Sequence, residues 1–172
     1  KLALAEVTQA VDGALIAGEM DCTISGVSID TRTLQAGDLF FALKGEHSDG
    51  HEFIGRALEA GAGGLIVSDE SALPVGIDKP VVKVQDVLWS LGDLAAYYRS
   101  KFNVRVIGIT GSVGKTTTKE MLSAILERKW KVLKNEMNYN NEIGLPLTLF
   151  ELDPSHEVVV LEREAVAGGR MR

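Results

Sequence analysis

The run Val104-Arg105-Val106-Ile107-Gly108-Ile109-Thr110-Gly111-Ser112-Val113-Gly114-Lys115-Thr116-Thr117-Thr118-Lys119-Glu120 decides the fold of this chain. Its first seven residues, rich in β-branched side chains, read as a strand, and Thr116 to about Arg128 reads as a helix. A glycine-containing turn joins the two, which makes a β-loop-α unit. Such a turn aims backbone N–H groups and the helix N-terminus at one point, where an anionic phosphate is stabilised. Lys115 supplies a positive charge to β- and γ-phosphates and Thr116 a hydroxyl to Mg²⁺, as in a Walker A loop. The candidate nucleotide-binding residues are therefore Thr110, Gly111, Ser112, Val113, Gly114, Lys115, Thr116 and Thr117. The general spelling places a first glycine five positions before Gly114, where this chain has Ile109 flanked by Gly108 and Gly111. A glycine-rich turn carrying a surface lysine is the bland alternative. The order strand, loop, Gly-Lys-Thr, helix favours the phosphate reading.

Downstream, a strand is expected at Lys131-Val132-Leu133-Lys134, then a polar loop from Asn135 to Glu142, a segment around Leu145-Pro146-Leu147-Thr148-Leu149, and a strand at Val158-Val159-Val160-Leu161. That last strand ends in Glu162. A carboxylate at the C-terminal end of a parallel strand points into the ligand crevice, and beside a nucleotide it is a candidate for Mg²⁺. An exposed strand-end glutamate is the other reading. Asn135, Asn138, Asn140 and Asn141 crowd one loop, where asparagine ordinarily serves turns and αL geometry. His47, His51 and His156 lack metal-site spacing, and Cys22 lies near no evident base.

Upstream, an opening amphipathic helix ends near Gly13, and strands are expected at Thr23–Ile29 and Asp38–Leu43. A helix from His51 carries Phe53, Ile54, Ala57 and Leu58 at helical spacing and gives way at Gly61-Ala62-Gly63-Gly64 to the strand Leu65-Ile66-Val67; Pro80–Val84 is a further strand. Asp86 can cap a long helix from Val87 to about Phe102, with Leu88, Leu91, Leu94, Ala95 and Tyr98 in one stripe. Strands alternating with helices imply an α/β chain with a mostly parallel sheet. The expected organisation is a small α/β domain over 1–84, a connecting helix over 85–103 and the beginning of a P-loop parallel-sheet domain over 104–172.

Composition agrees with a folded chain. The 172 residues are 45% apolar and 24% charged with only 4 prolines. The net charge of −6 argues against a nucleic-acid partner. Residues 1–100 hold 7 basic against 15 acidic side chains, and 101–172 hold 11 against 9, so the second part suits an anion better. One cysteine excludes an intrachain disulfide, and no apolar run approaches the roughly 18 residues of a membrane span, so a reducing cytoplasm is the expected location.

Two blocks, Thr110-Gly111-Ser112-Val113-Gly114-Lys115-Thr116-Thr117-Thr118-Lys119-Glu120 and Asn138-Tyr139-Asn140-Asn141-Glu142-Ile143-Gly144-Leu145-Pro146, closely resemble the Mur ligase family. Gly26-Val27-Ser28-Ile29-Asp30-Thr31-Arg32, Gly37-Asp38-Leu39-Phe40-Phe41-Ala42-Leu43-Lys44-Gly45 and Asp49-Gly50-His51 look like the uridine-nucleotide-binding domain of that family. The similarity covers residues 1 to about 162. It implies an ATP-dependent peptide ligase of peptidoglycan precursor synthesis, which joins D-alanyl-D-alanine to UDP-MurNAc-tripeptide through an acyl phosphate. By motif match, Lys115 acts on the transferring phosphoryl group, and Thr116 and Glu162 take Mg²⁺. Asn138 and Asn141 lie near the reacting carboxylate or metals. Asp30, Thr31, Arg32, Lys44, Asp49 and His51 line the UDP-sugar site, with turn and cap roles as the alternative. After Glu162 the family continues with Met-Gly-Ala and a nearby histidine, whereas this chain reads Arg163-Glu164-Ala165-Val166-Ala167-Gly168-Gly169-Arg170-Met171-Arg172. The expectation is a truncated ligase, monomeric, without the dipeptide-binding domain and inactive alone. A non-catalytic UDP-sugar or nucleotide-binding fragment and another Mur-type or folylpolyglutamate-type ligase stay open beside it.

Overall fold

The computed structural model of the chain describes residues 1–45, 48–137 and 139–164. It divides into two units, Lys1–Leu94 and the part from Ala95 onward, and the division falls inside one helix.

In the first unit β1 (Leu2–Ala3) runs into α1 (Leu4–Ala10), followed by β2 (Ala14–Ala17), β3 (Thr23–Ile24), β4 (Val27–Ser28) and β5 (Leu39–Phe41). A 3-10 turn (Gly50–Phe53), α2 (Ile54–Glu59), β6 (Gly64–Val67), a second 3-10 turn (Glu70–Ala72), β7 (Val81–Lys83) and α3 (Val87–Ser100) complete it. The five-stranded sheet has the order β2-β7-β6-β5-β4, with β4 to β7 parallel and β2 antiparallel at one edge. Phe40, Phe41, Leu65, Ile66, Val67, Val81 and Val82 are at most 1% exposed, which is why these strands read as unbroken apolar runs rather than alternating ones. Leu34, Ile54, Ala57 and Ala62 pack with Phe40, Leu65, Val67 and Val81 in one cluster on one face of the sheet. Truncating a ring such as Phe40 to alanine costs about 3–5 kcal/mol in a core of this kind.

The structure differs from the sequence expectation in three places here. Residues 23–29 form two short strands instead of one: β3 pairs with β1 and β4 with β5, and the chain changes sheets at Ser25-Gly26. A Cβ on Gly26 would stand 2.5 Å from Asp38 Oδ1, so the crossing needs a residue without a side chain. The opening helix is preceded by a strand, and β2 lies where no element was expected. Asp86 does cap α3, its Oδ1 accepting from the Leu88 and Trp89 amides at 2.8 and 3.0 Å, a contact typically worth about 1 kcal/mol.

The second unit continues α3 into β8 (Arg105–Ile109), α4 (Lys115–Leu126), β9 (Val132–Lys134), α5 (Gly144–Phe150) and β10 (Val158–Glu162). All three strands are parallel, in the order β8-β10-β9. Val104, Leu133, Leu152 and Val159 form the buried centre, with Tyr98, Phe102, Leu149 and Leu161 packed on it. The Tyr98 hydroxyl donates to the Leu152 carbonyl at 3.0 Å. The segment around Leu145–Leu149 is helical, and Pro146 is tolerated because it sits in the first turn, where its missing N–H has no helical acceptor to lose.

Both β8 and β9 are edges of this small sheet, and Val106, Met121 and Ile125 are 43%, 64% and 64% exposed. Three strands with uncovered apolar side chains make the second unit the weaker of the two. Limited proteolysis of the 172-residue chain is therefore expected to cut first beyond residue 103 and leave a resistant fragment ending near α3. Equal resistance in both units would contradict this.

Candidate functional site

Because β8, β10 and β9 are parallel, their carboxyl ends emerge on one side of the sheet, and the turn after β8 meets the end of the central strand there. Gly111 and Gly114 adopt φ of +147° and +80°, values that exclude ordinary side chains. Nothing lies within 4 Å of where a Cβ would be on either, and Val113 is 93% exposed, so the space over the turn is open. The Thr118 amide and hydroxyl both turn to the Gly114 carbonyl, the hydroxyl at 2.9 Å, and start α4. Lys115 Nζ donates to the Gly111 carbonyl at 2.9 Å, which holds the ammonium over its own loop.

Glu162 ends β10 and is 2% exposed. Its backbone is held by Asn135, which follows β9: Glu162 N–H donates to Asn135 Oδ1 at 2.8 Å and Asn135 Nδ2 donates to the Glu162 carbonyl at 3.0 Å. One asparagine amide thus supplies a further rung beyond the end of the ladder. On the side chain, Thr116 Oγ1 donates to Oε1 at 3.1 Å, while Oε2 accepts no hydrogen bond among the described residues and faces Lys119 Nζ at 3.6 Å. A buried carboxylate beside a threonine hydroxyl, next to the glycine turn, is a hard oxygen pair of the kind that suits Mg²⁺. No group of three or more His, Cys, Asp or Glu with metal-site geometry occurs among the described residues, so such an ion would take its other ligands from phosphate and water.

Asn141 has a cap role: its Oδ1 accepts from the Ile143 and Gly144 amides at 3.1 and 2.8 Å at the start of α5. Asn138 and His47 lie outside the described residues, as does the tail 165–172. The sequence places Asn135 in a polar loop and Lys119 on the helix but gives neither its role beside Glu162. A lysine on a helix reads as solvated, and only its spacing three residues after Thr116 placed it on the same face.

In the first unit the candidate residues follow three adjacent parallel strands. Residues 30–32 follow β4, 44–45 and 48–51 follow β5, and Ser68 and Asp69 follow β6, so these emerge at carboxyl ends. Asp30 grips Arg32 through the backbone amide, Nε and a terminal nitrogen, and these hydrogen bonds hold the Asp30 carboxyl down to about 2. Arg32 is itself 86% exposed, and Thr31 is half-buried between the two. Lys44 pairs with Asp49 at 3.9 Å, across an isolated antiparallel bridge.

His51 is buried, with both ring nitrogens in use. Nδ1 carries the proton to Asp49 Oδ1 at 2.6 Å, and Nε2 accepts from the Ser68 and Asp69 amides at 3.1 and 3.2 Å. The backbone N–H of His51, then its ring, hold the Asp49 carboxyl below its usual range. In this arrangement His51 ties the loop after β5 to the turn after β6, while the Arg32 and Lys44 side chains are exposed.

Comparison with known proteins gives consistent matches. The Mur ligase family, catalytic domain, matches residues 23–99, and the Mur ligase middle domain matches 109–169. A UDP-N-acetylmuramoyl-tripeptide--D-alanyl-D-alanine ligase of Synechocystis sp. is 46% identical over 142 residues, which is 83% of this chain and 31% of that protein. Among solved structures, a UDP-N-acetylmuramoylalanyl-D-glutamyl-2,6-diaminopimelate--D-alanyl-D-alanyl ligase from Acinetobacter baumannii superposes with a TM-score of 0.86 at 36% identity, over 97% of this chain and 37% of that one. MurF ligase from Thermotoga maritima in complex with ADP gives 0.73 at 38% identity, over 81% and 32%. The chain thus spans about a third of the length of the relatives it matches.

Two outcomes follow from the geometry. Asn135→Ala strips a buried backbone N–H and a carbonyl of their partners, and is expected to destabilise the second unit by about 2–4 kcal/mol in denaturant unfolding; a change below about 0.5 kcal/mol would remove the asparagine clamp. In the first unit, a carboxyl lowered on folding adds stability above its unfolded value and loses it as pH falls. The Asp30 contribution is therefore lost as pH drops from about 4 toward about 2. NMR titration should place the Asp30 midpoint near 2, and Arg32→Gln should return it toward about 3.9; an unshifted wild-type midpoint would overturn the pairing.

Proposed function

Since this chain belongs to the Mur ligase family, we propose that it carries the UDP-sugar-binding and ATP-binding parts of an enzyme that joins D-alanyl-D-alanine to UDP-MurNAc-tripeptide. The observation that carries the reading is the pairing of the Thr116 hydroxyl with the buried Glu162 carboxylate, 3.1 Å apart, beneath an open glycine turn. In that reaction the terminal carboxylate of the tripeptide attacks the γ-phosphorus of ATP and ADP leaves. The amine of D-alanyl-D-alanine then attacks the acyl phosphate carbon, expels phosphate and loses a proton to give the amide.

The chain's own residues supply charge handling and positioning. Amides of residues 111–117 and the α4 N-terminus cradle the β- and γ-phosphates. Lys115 leaves the Gly111 carbonyl for the phosphoryl oxygens, exchanging a neutral acceptor for a charged one, which is the stronger hydrogen bond. Thr116 and Glu162 would hold Mg²⁺, which offsets charge on the phosphates as the bond to the leaving oxygen breaks. Asn141 acts by fixing the start of α5, and Asn138 stays a candidate near the reacting groups. Arg32 and Lys44 are the cations available to a UDP diphosphate in the first unit, with Asp30, Thr31, Asp49 and His51 setting their loops.

Among the described residues no helix is long and apolar enough to cross a membrane, and a cytoplasmic location and monomeric state belong to the proposal, with no nucleic-acid partner. Calorimetric titration tests it. Lys115→Ala should lower Mg·ATP affinity by more than about tenfold, or 1.4 kcal/mol, and leave UDP-MurNAc-tripeptide affinity unchanged. Unaltered Mg·ATP binding in that variant would remove the loop assignment.

A further inference from the structure

Lys119 is a full-length lysine side chain inside the second unit, 1% exposed, on a helix whose opposite face is open to solvent. Its ammonium donates to the Asn135 carbonyl at 2.7 Å and stands 3.6 Å from Glu162 Oε2 and 3.6 Å from Glu120 Oε1. Burying a lysine is unfavourable, and replacing a buried ion pair by apolar groups of similar volume is commonly neutral or stabilising. Stability therefore gives little reason for the pair as a whole, although once Glu162 is buried its charge needs a partner.

The geometry points to another reason. Thr116 and Lys119 are three residues apart on α4, so they share a face, and each takes a different oxygen of one carboxylate: the hydroxyl takes Oε1 and the ammonium faces Oε2. Oε2 accepts no hydrogen bond among the described residues, so the cation is what fixes which way the carboxylate plane turns. The same ammonium, through the Asn135 carbonyl, steadies the residue that holds the Glu162 backbone. We propose that Lys119 is a positioning residue for the nucleotide's metal: it orients Glu162 so that Oε1 is presented beside Thr116 toward the phosphate turn. This rests on the nucleotide reading above. Lys119 touches neither phosphate nor metal itself and acts through Glu162.

The test is calorimetric ADP affinity of the 172-residue chain, measured once in Mg²⁺ and once in EDTA, for wild type, Lys119→Met and Lys119→Gln, with circular dichroism melting as the check of folding. Wild type should bind ADP more tightly with Mg²⁺. Lys119→Met should lose about tenfold of that enhancement, the scale seen when a partner of a metal ligand is removed, with affinity in EDTA unchanged. Lys119→Gln, which can still donate to the Asn135 carbonyl, should keep more of it. If Lys119→Met does not fold, the glutamine variant carries the test, and any loss confined to the Mg²⁺ arm supports the proposal. A folded variant with the full enhancement, or one that weakens binding equally in EDTA, overturns it. Wild-type chain that binds no ADP in either condition overturns the nucleotide reading itself, and this proposal with it.

Discussion

A carboxylate at the end of a buried strand must be matched on every side or it costs several kcal/mol, and the second unit is organised around meeting that condition for Glu162. Asn135 takes its backbone N–H and carbonyl, Thr116 takes one oxygen, and Lys119 faces the other. These partners come from the end of β9 and from the first turns of α4, so the contacts also fix the helix against the sheet. The position of α4 in turn sets the glycine turn that precedes it. A charge that is unfavourable for packing thus defines where the turn, the hydroxyl and the carboxylate converge.

The first unit solves a similar problem with a neutral group. Three parallel strands deliver loops to one edge of the sheet, and such loops drift unless something ties them together. His51 does this, bridging the Asp49 carboxylate and two backbone amides after β6 from a buried position. The charges kept toward solvent, Arg32 and Lys44, are each already paired with an aspartate. A ligand diphosphate would compete for those cations against carboxylates that hydrogen bonding keeps ionised well below neutral pH.

Much of this was legible in the residues. The β-branched run before Thr110, the glycines of the turn and the Asp86 cap each have a local cause, so strand, loop and helix were placed to within a few positions. The elements that escaped have tertiary causes. Ala14–Ala17 is a strand only because β7 offers an edge to pair with, and Thr23–Ile29 is broken because Asp38 fills the space beside Gly26. The site was half legible: Lys115, Thr116 and Glu162 follow from motif and strand end, and the structure brings the last two together. His51 read as a ligand contact, and its buried double engagement depends on Ser68 and Asp69, distant in sequence. The contacts of Lys119 and Asn135 with Glu162 were not legible, because the packing of α4 on β10 turns the lysine inward and the pairing of β9 with β10 brings the asparagine to the strand end.

The proposed function requires the glycine turn and the Glu162 carboxylate to form one Mg·nucleotide site. The most direct measurement is a ¹H–¹⁵N NMR titration of the chain with Mg·ADP, following the backbone amides. The account predicts the largest shifts at Gly111–Thr117, a secondary set at Asn135 and Glu162, and no change in residues 30–51. Shifts concentrated elsewhere, with the amides of the turn unmoved, would contradict it.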